Sequence, residues 1–313
     1  MKMKHSILSS VITYISLILL SIIFAKCKKE CANSDTSASD AIAVSAGKSQ
    51  IILVSGDTAK LTGTILNGNS IIKSYSWTTL SGPNNPVINN SDFLSALATG
   101  FMAGTYVFQL KASSINNVGL DTTTVLVAKH LVLRIDSTSK AYNFGLFGTS
   151  DGSHPSGTEL LTQWWTNGGA AFDTKSTFEF DLSTLPANAT ILAAKLTLYS
   201  DSTPLNGDLL GDANSGINNA FYIERVIQNW DYTNTWFTIP PTDTANQILI
   251  PTTTLPQLDI NDLDVTNMVD SMRINNYGFE IRLQQDTIYT IRDFCGGFYS
   301  EANRHPKLDI FYQ

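Results

Sequence analysis

The chain is poor in charge, in cysteine and in histidine: of 313 residues, 15% are charged, three are cysteine and four are histidine. Each shortage excludes something. With 20 basic residues against 27 acidic ones, the formal net charge is -7. A protein whose main task is to neutralise nucleic-acid phosphates needs a dense Lys/Arg surface, so nucleic acid is not expected as a partner. Cys27 and Cys31 lie near the start of the chain and Cys295 near its end, which gives no disulfide framework. The sequence has no His-Glu-x-x-His, no phosphate loop and no paired Cys-x-x-Cys. His130, His154 and His305 stand apart and read as surface or turn residues, not as a shared metal site. Neither a catalytic centre nor a resident metal is expected.

What is present points to an exported β protein. Hydrophobic residues make up 43% of the chain, and Ser, Thr and Asn supply most of the polar balance. Residues 1–26 read as a secretory signal: Lys2, Lys4 and His5 give a positive start, and an apolar run follows from Ile7 to Phe24. The alternative for this run is an uncleaved membrane helix at the short end of what spans a bilayer. The run ends in Phe24-Ala25-Lys26-Cys27, which resembles the lipobox of bacterial lipoproteins. Ala25 fits that pattern, whereas Phe24 and Lys26 depart from it. The resemblance implies lipidation at Cys27, with the membrane contacted through acyl chains at about 0.8 kcal/mol per buried methylene. It also implies a place in the cell envelope at the outer membrane. Cys27-Lys28-Lys29-Glu30 is similar to the charged stretch of surface-exported lipoproteins, so surface exposure is expected. Residues 27–43 read as a flexible tether, small and polar from Ala32 to Ala43.

The rest divides at about residue 129, and both parts read as all-β. In residues 44–129, β-branched runs at Ile51 to Val54, Ala59 to Leu66, Ile71 to Thr79, Thr105 to Ala112 and Thr122 to Val127 alternate with glycine-containing turns. That spacing predicts an antiparallel sandwich. Ser74-Tyr75-Ser76-Trp77, Ser81-Gly82-Pro83 and Ala103-Gly104-Thr105-Tyr106-Val107-Phe108-Gln109-Leu110 resemble the PKD-type immunoglobulin-like domain. The resemblance implies a core position for Trp77, with Tyr106, Phe108 and Leu110 pointing inward, and a spacer or adhesion role.

Residues 130–313 carry candidate strands at Leu131 to Asp136, Lys175 to Phe180, Ile191 to Tyr199, Ala220 to Val226, Leu258 to Ile260, Tyr277 to Leu283, Phe294 to Ser300 and Leu308 to Tyr312. One short helix is predicted from about Thr266 to Arg273, with Thr266 as its cap. Ser176-Thr177-Phe178-Glu179-Phe180-Asp181-Leu182, Ala194-Lys195-Leu196-Thr197-Leu198-Tyr199, Asn229-Trp230-Asp231 and Arg304-His305-Pro306-Lys307-Leu308 resemble the DNRLRE domain. Where that family often has Ser-Arg-Glu, this chain has Ser300-Glu301-Ala302. The resemblance implies a jelly-roll-like sandwich of secreted and cell-surface proteins, some of which are classed as carbohydrate-binding modules. Trp230 and Trp236 are framework residues in that reading.

Sugar binding needs flat aromatic faces and fixed hydrogen-bonding groups. Trp164 and Trp165 are the best candidates, one expected in the core and its neighbour exposed, because adjacent strand residues point opposite ways. Arg282, Arg292, Arg304 and Lys307 would supply cations for an acidic polysaccharide if the fold clusters them. The loop from Asp201 to Asn218, with Asp208 and Asp212, is rich in the oxygen ligands that Ca²⁺ takes, although a plain solvated loop is the expected reading. Asp259, Asp262 and Asp264 are expected to serve as turn and capping groups, and Cys295 as a buried, inert thiol. The expectation is a non-catalytic surface protein that binds polysaccharide. The alternative is a structural or adhesive protein that contacts other surface proteins and has no glycan site.

Overall fold

The computed structural model describes residues 41–53, 56–67, 71–208 and 210–313. The leader, Cys27, Cys31 and most of the tether lie outside the described residues. Among those described, no helix is long and apolar enough to cross a membrane.

The fold is all-β, as the sequence implies. A first sandwich contains β1 (Ala43–Ser45), β2 (Gln50–Ile52), β3 (Ala59–Thr62), β4 (Thr64–Asn67), β5 (Ser74–Ser81), β6 (Val87–Asn89), β7 (Ser95–Thr99), β8 (Gly104–Ser113) and β9 (Val118–Val127). One sheet has the order β2-β9-β8-β5 and another β3-β7-β6, with β1 paired to β4 at the side. Strand β8 shows why the sequence folds this way. Its residues alternate, so Tyr106, Phe108, Leu110 and Ala112 all point inward and have no exposed surface. Trp77 of β5 lies opposite Leu110 and is also buried. Ala59, Leu61, Ala96 and Ala98 close the same core from the facing sheet. The Tyr106 hydroxyl is buried but satisfied: it donates to Asn84 Oδ1 and accepts from the Met102 N–H at 2.8 Å. Gly82 is required here, since a Cβ at that position would run into the Tyr106 ring.

A single residue, Ala128, separates β9 from β10 (Lys129–Arg134). Its side chain is buried, and its N–H donates to the Ile52 carbonyl at 2.9 Å. The second sandwich continues with β11 (Ala141–Phe147), β12 (Ser150–Asp151), β13 (His154–Pro155), β14 (Glu159–Asn167), β15 (Ala170–Phe178), β16 (Ile191–Leu198), β17 (Asn214–Ser215), β18 (Phe221–Arg225), β19 (Ile248–Ile250) and β20 (Ile260–Asp264). Helix α1 (Thr266–Met272) follows, then β21 (Phe279–Leu283), β22 (Thr290–Cys295) and β23 (Lys307–Tyr312). The smaller sheet has the order β10-β23-β16-β20. The larger has the order β17-β22-β14-β15-β21-β18-β19, with β11 on the free edge of β15 and the short β12 and β13 beside it. Between the two sheets lies one apolar core, with Leu196, Leu198, Leu308 and Ile310 on one side and Phe178, Phe221, Phe279 and Phe294 on the other. Met268, Val269 and Met272 of α1 pack into it. A smaller cluster of Tyr142, Phe144, Val226 and Trp230 packs apart from it, with Trp236 alongside.

The structure departs from the sequence reading in several places. Strands β6, β7, β11 and β14 were not among the expected runs, and the expected strand Phe294 to Ser300 begins earlier and ends at Cys295. Thr266 is the first residue of α1, not its cap. Asp264 does the capping work instead, accepting from the Thr266 N–H at 3.0 Å and its hydroxyl at 2.6 Å. His305 is buried, with its Nε2 2.8 Å from the Tyr299 carbonyl, so it is not a surface residue.

Candidate functional site

The two candidate tryptophans sit on β14, both half-buried, and face different neighbours. Trp165 lies directly opposite Phe172 of β15, and Phe172 lies opposite Phe147 of β11. Direct cross-strand partners share a face of the sheet, so Phe147, Phe172 and Trp165 form a row across three adjacent strands. Tyr289, the residue just before β22, extends the row: its ring centroid is 5.3 Å from that of Trp165 at an interplanar angle of 79°. Phe147 and Phe172 meet edge to face at 6.2 Å. Phe147 and Tyr289 are exposed, at 40% and 53%. Tyr289 also has φ +61°, a left-handed backbone that bulky residues rarely adopt. Such a conformation persists only where the surroundings hold it.

Trp164 looks the other way, opposite Asp173 of β15. Burial pushes the Asp173 carboxyl up to about 7, with the charge of Asp286 adding and that of Lys175 opposing. Trp230 and Trp236 are packing residues, as the framework reading implies. The Trp230 indole donates to the Tyr277 carbonyl at 2.9 Å, and Lys140 lies over its ring at 4.1 Å. Lys175 lies over the Trp236 ring at 4.9 Å.

The four basic residues do not form one ligand-facing cluster. Arg292 has no exposed surface, its guanidinium stacks on Phe221 at 4.9 Å and Phe294 at 5.8 Å, and burial lowers its pKa to about 10. A polar ligand at the surface cannot reach it. Arg282 is held by Glu224 at 2.6 Å, Arg304 by the Ser200 carbonyl and by Asp259 at 3.6 Å, and Lys307 by Asp309 at 2.8 Å. Arg282 belongs to the larger sheet and Lys307 to the smaller.

The acidic loop is also rearranged. Asp208 turns back on its own segment, accepting from the N–H groups of Leu210 and Asp212. Asp201 instead turns inward beside Glu159 of β14 and Asp293 of β22, a grouping that nothing in the linear spacing signals. Asp259 accepts from the Ser200 N–H at 2.9 Å. Cys295 is buried, and burial pushes its thiol up to about 11, so it is inert. The three histidines remain apart: His130 pairs with Asp309 at 2.8 Å and stacks on Phe311, and His154 is exposed.

Gly148-Thr149-Ser150-Asp151-Gly152 has the glycine and serine spacing of a hydrolase nucleophile elbow. Here the segment forms a hairpin, with Ser150 paired to Phe147 and Asp151 to Leu146. An elbow needs a sharp turn from strand into helix, whereas Ser150 is a strand residue that follows the Gly148-Thr149 turn.

Comparison with known proteins bears mainly on the first sandwich. Residues 46–127 match the family described as K319L-like, PKD domain. They form a PKD-type domain. Among solved structures, the chain is similar to the PKD domain from KIAA 1837 protein, at 27% identity over 30% of this chain and 91% of that one, with a TM-score of 0.26. It is also similar to the PKD domain (329-428) from human KIAA0319, at 23% identity over 31% and 91%, with a TM-score of 0.25. A third structure is the Bacteroides ovatus mixed-linkage glucan utilization locus SGBP-B in complex with mixed-linkage heptasaccharide, at 10% identity over 83% and 72%, with a TM-score of 0.13. No curated protein matches the chain.

Proposed function

We propose that this chain is a non-catalytic surface protein, lipid-anchored through Cys27, whose second sandwich is a DNRLRE-type module that binds polysaccharide while the PKD-type domain spaces it from the membrane. The observation that carries this reading is the aromatic row of Phe147, Phe172, Trp165 and Tyr289. Partly exposed rings on a rigid sheet offer flat apolar faces to the apolar side of a pyranose, and their geometry is set before the ligand arrives. The ligand is a neutral polysaccharide. Arg292 is buried and the other three candidate cations are already engaged by carboxylates, so little positive charge is left for an acidic chain.

A glycan array with the full chain tests the reading, repeated with Trp165→Ala and Tyr289→Ala. Each variant should bind neutral polysaccharide at least tenfold more weakly, the loss of about 1.4 kcal/mol expected from one ring contact. Binding of no polysaccharide by the wild-type chain would replace this reading with the adhesive one. Shortening of the bound polysaccharide would make the protein an enzyme. For the anchor, a labelled lipid precursor should be incorporated by the wild type and not by Cys27→Ala.

A further inference from the structure

The second sandwich buries three carboxylates against one another. Glu159 begins β14, Asp293 lies in β22 and Asp201 opens the loop after β16. Their residues are 4%, 0% and 1% exposed, and an oxygen from each carboxylate lies within 4.8 Å of the others. Strand pairing explains how they meet. Glu159 lies opposite Cys295, two residues from Asp293, and the Asp201 N–H donates to the Asp293 carbonyl at 3.2 Å.

The three differ in how they are satisfied. Glu159 accepts from the N–H groups of Leu205 and Asn206 and, at 2.5 Å, from the Asn206 side-chain amide. Asp201 accepts from the Thr203 N–H at 2.7 Å. Asp293 has no exposed surface, and neither of its carboxylate oxygens has a hydrogen-bond donor. Its backbone is fully used, since its N–H donates to the Ala213 carbonyl, so the side chain alone is left over. Arg304, whose charge reaches Asp201, is committed to the Ser200 carbonyl and Asp259. A buried carboxylate without a partner is among the most unfavourable groups a fold can hold. Burial pushes the Asp293 carboxyl well above the usual range, and Glu159 and Asp201 push it further.

We propose that Glu159, Asp201 and Asp293 form a structural Ca²⁺ site that ties the loop after β16 to the β14 and β22 pair. Three carboxylates supply up to six hard oxygens, the donor type and number that Ca²⁺ takes. Ca²⁺ ligands at about 2.3–2.6 Å stand at most about 5 Å from one another across the ion, which accommodates the 4.8 Å limit of this cluster. Mg²⁺ retains several waters, and a site this enclosed leaves them little room. Asp293 is the member left without a donor, and the amides on Glu159 and Asp201 hold those two side chains in place. Asp208 and Asp212 take no part.

The test uses the purified full chain stripped with EDTA, and it reads Ca²⁺ stoichiometry by calorimetry and the melting temperature with and without the ion. Wild type should bind one Ca²⁺ per chain and melt at least about 5 °C higher at a hundredfold excess over Kd, with a much smaller rise in Mg²⁺. Asp293→Asn should abolish both responses and melt above the stripped wild type. If that variant does not fold, Glu159→Gln serves in its place. Trp165→Ala should keep the full Ca²⁺ response, which separates this site from glycan binding. Identical melting in Ca²⁺ and EDTA, without saturable binding, would overturn the proposal. So would proton uptake at the cluster in place of Ca²⁺, the result expected if two carboxyls share a proton.

Discussion

The two sandwiches bury very different chemistry. In the first, the buried polar groups among the described residues are the Thr123 side chain, the Tyr106 hydroxyl and the Trp77 indole N–H, and no charged side chain is buried. The second buries Glu159, Asp201, Glu224, Glu280, Arg292, Asp293 and Asp309 as well as an apolar core. Apolar burial stabilises a fold by itself, whereas each buried charge is unfavourable until something compensates it. The first sandwich therefore has the interior of a scaffold. In the second, every buried charge raises the question of what answers it: Arg282 answers Glu224, aromatic rings face Arg292, and a bound cation is proposed for Asp293.

This contrast can be broken or sharpened by mutation. The largest effect should come from Trp77→Ala, which empties the centre of the first core and should cost about 3–5 kcal/mol in urea denaturation, equally at pH 5 and pH 8. A marked pH dependence in that loss would blur the distinction. Arg282→Ala should cost about 3 kcal/mol, because it leaves the fully buried Glu224 without its partner at 2.6 Å. A double variant with Glu224→Gln should recover much of the loss. Glu280→Gln should act in the opposite direction. Burial pushes the Glu280 carboxyl from 4.5 up to about 7, against the pull of Lys175. A folded value above the unfolded one means that wild-type stability is full below about pH 4.5 and is lost as pH rises through 7. The variant lacks this loss, so it should gain about 2–3 kcal/mol at pH 8 and nothing near pH 4, as read from urea midpoints across that range. The smallest effect should come from Lys307→Ala: Lys307 sits at the partly exposed end of its 2.8 Å pair with the buried Asp309, which keeps His130 at 2.8 Å as a second partner, and the change should stay under about 1 kcal/mol. A larger loss would show that charges matter at the rim of the second sandwich as well as inside it.

The same contrast governed what the sequence could reveal. Strand β8 has one buried and one outer face, so alternation marks it plainly. Strand β6 has three residues, and β7 is Ser95-Ala96-Leu97-Ala98-Thr99, whose inward residues are two alanines. Little hydrophobic signal remains there. Strand β11 is buried along its first five residues and β22 along all six, so neither alternates, and Arg292 and Asp293 make β22 look like a surface segment. The aromatic row was half visible, through Trp165. Phe147, Phe172 and Tyr289 join it only through pairing between strands. The carboxylate cluster was invisible for the same reason: Asp201 looked like the partner of its loop neighbours Asp208 and Asp212, while its contacts come from β14 and β22.

The junction at Ala128 has a mechanical consequence. Any pull on the second sandwich enters the first through the end of β9, an inner strand held by β8 along all ten of its residues and by β2 in parallel beside Val125, Leu126 and Val127. The antiparallel bonds to β8 run across the line of force and the parallel bonds to β2 run at a slant to it. Tension along β9 therefore loads them together in shear and does not peel them one at a time. Under such a load, rupture needs many of those bonds to fail at once.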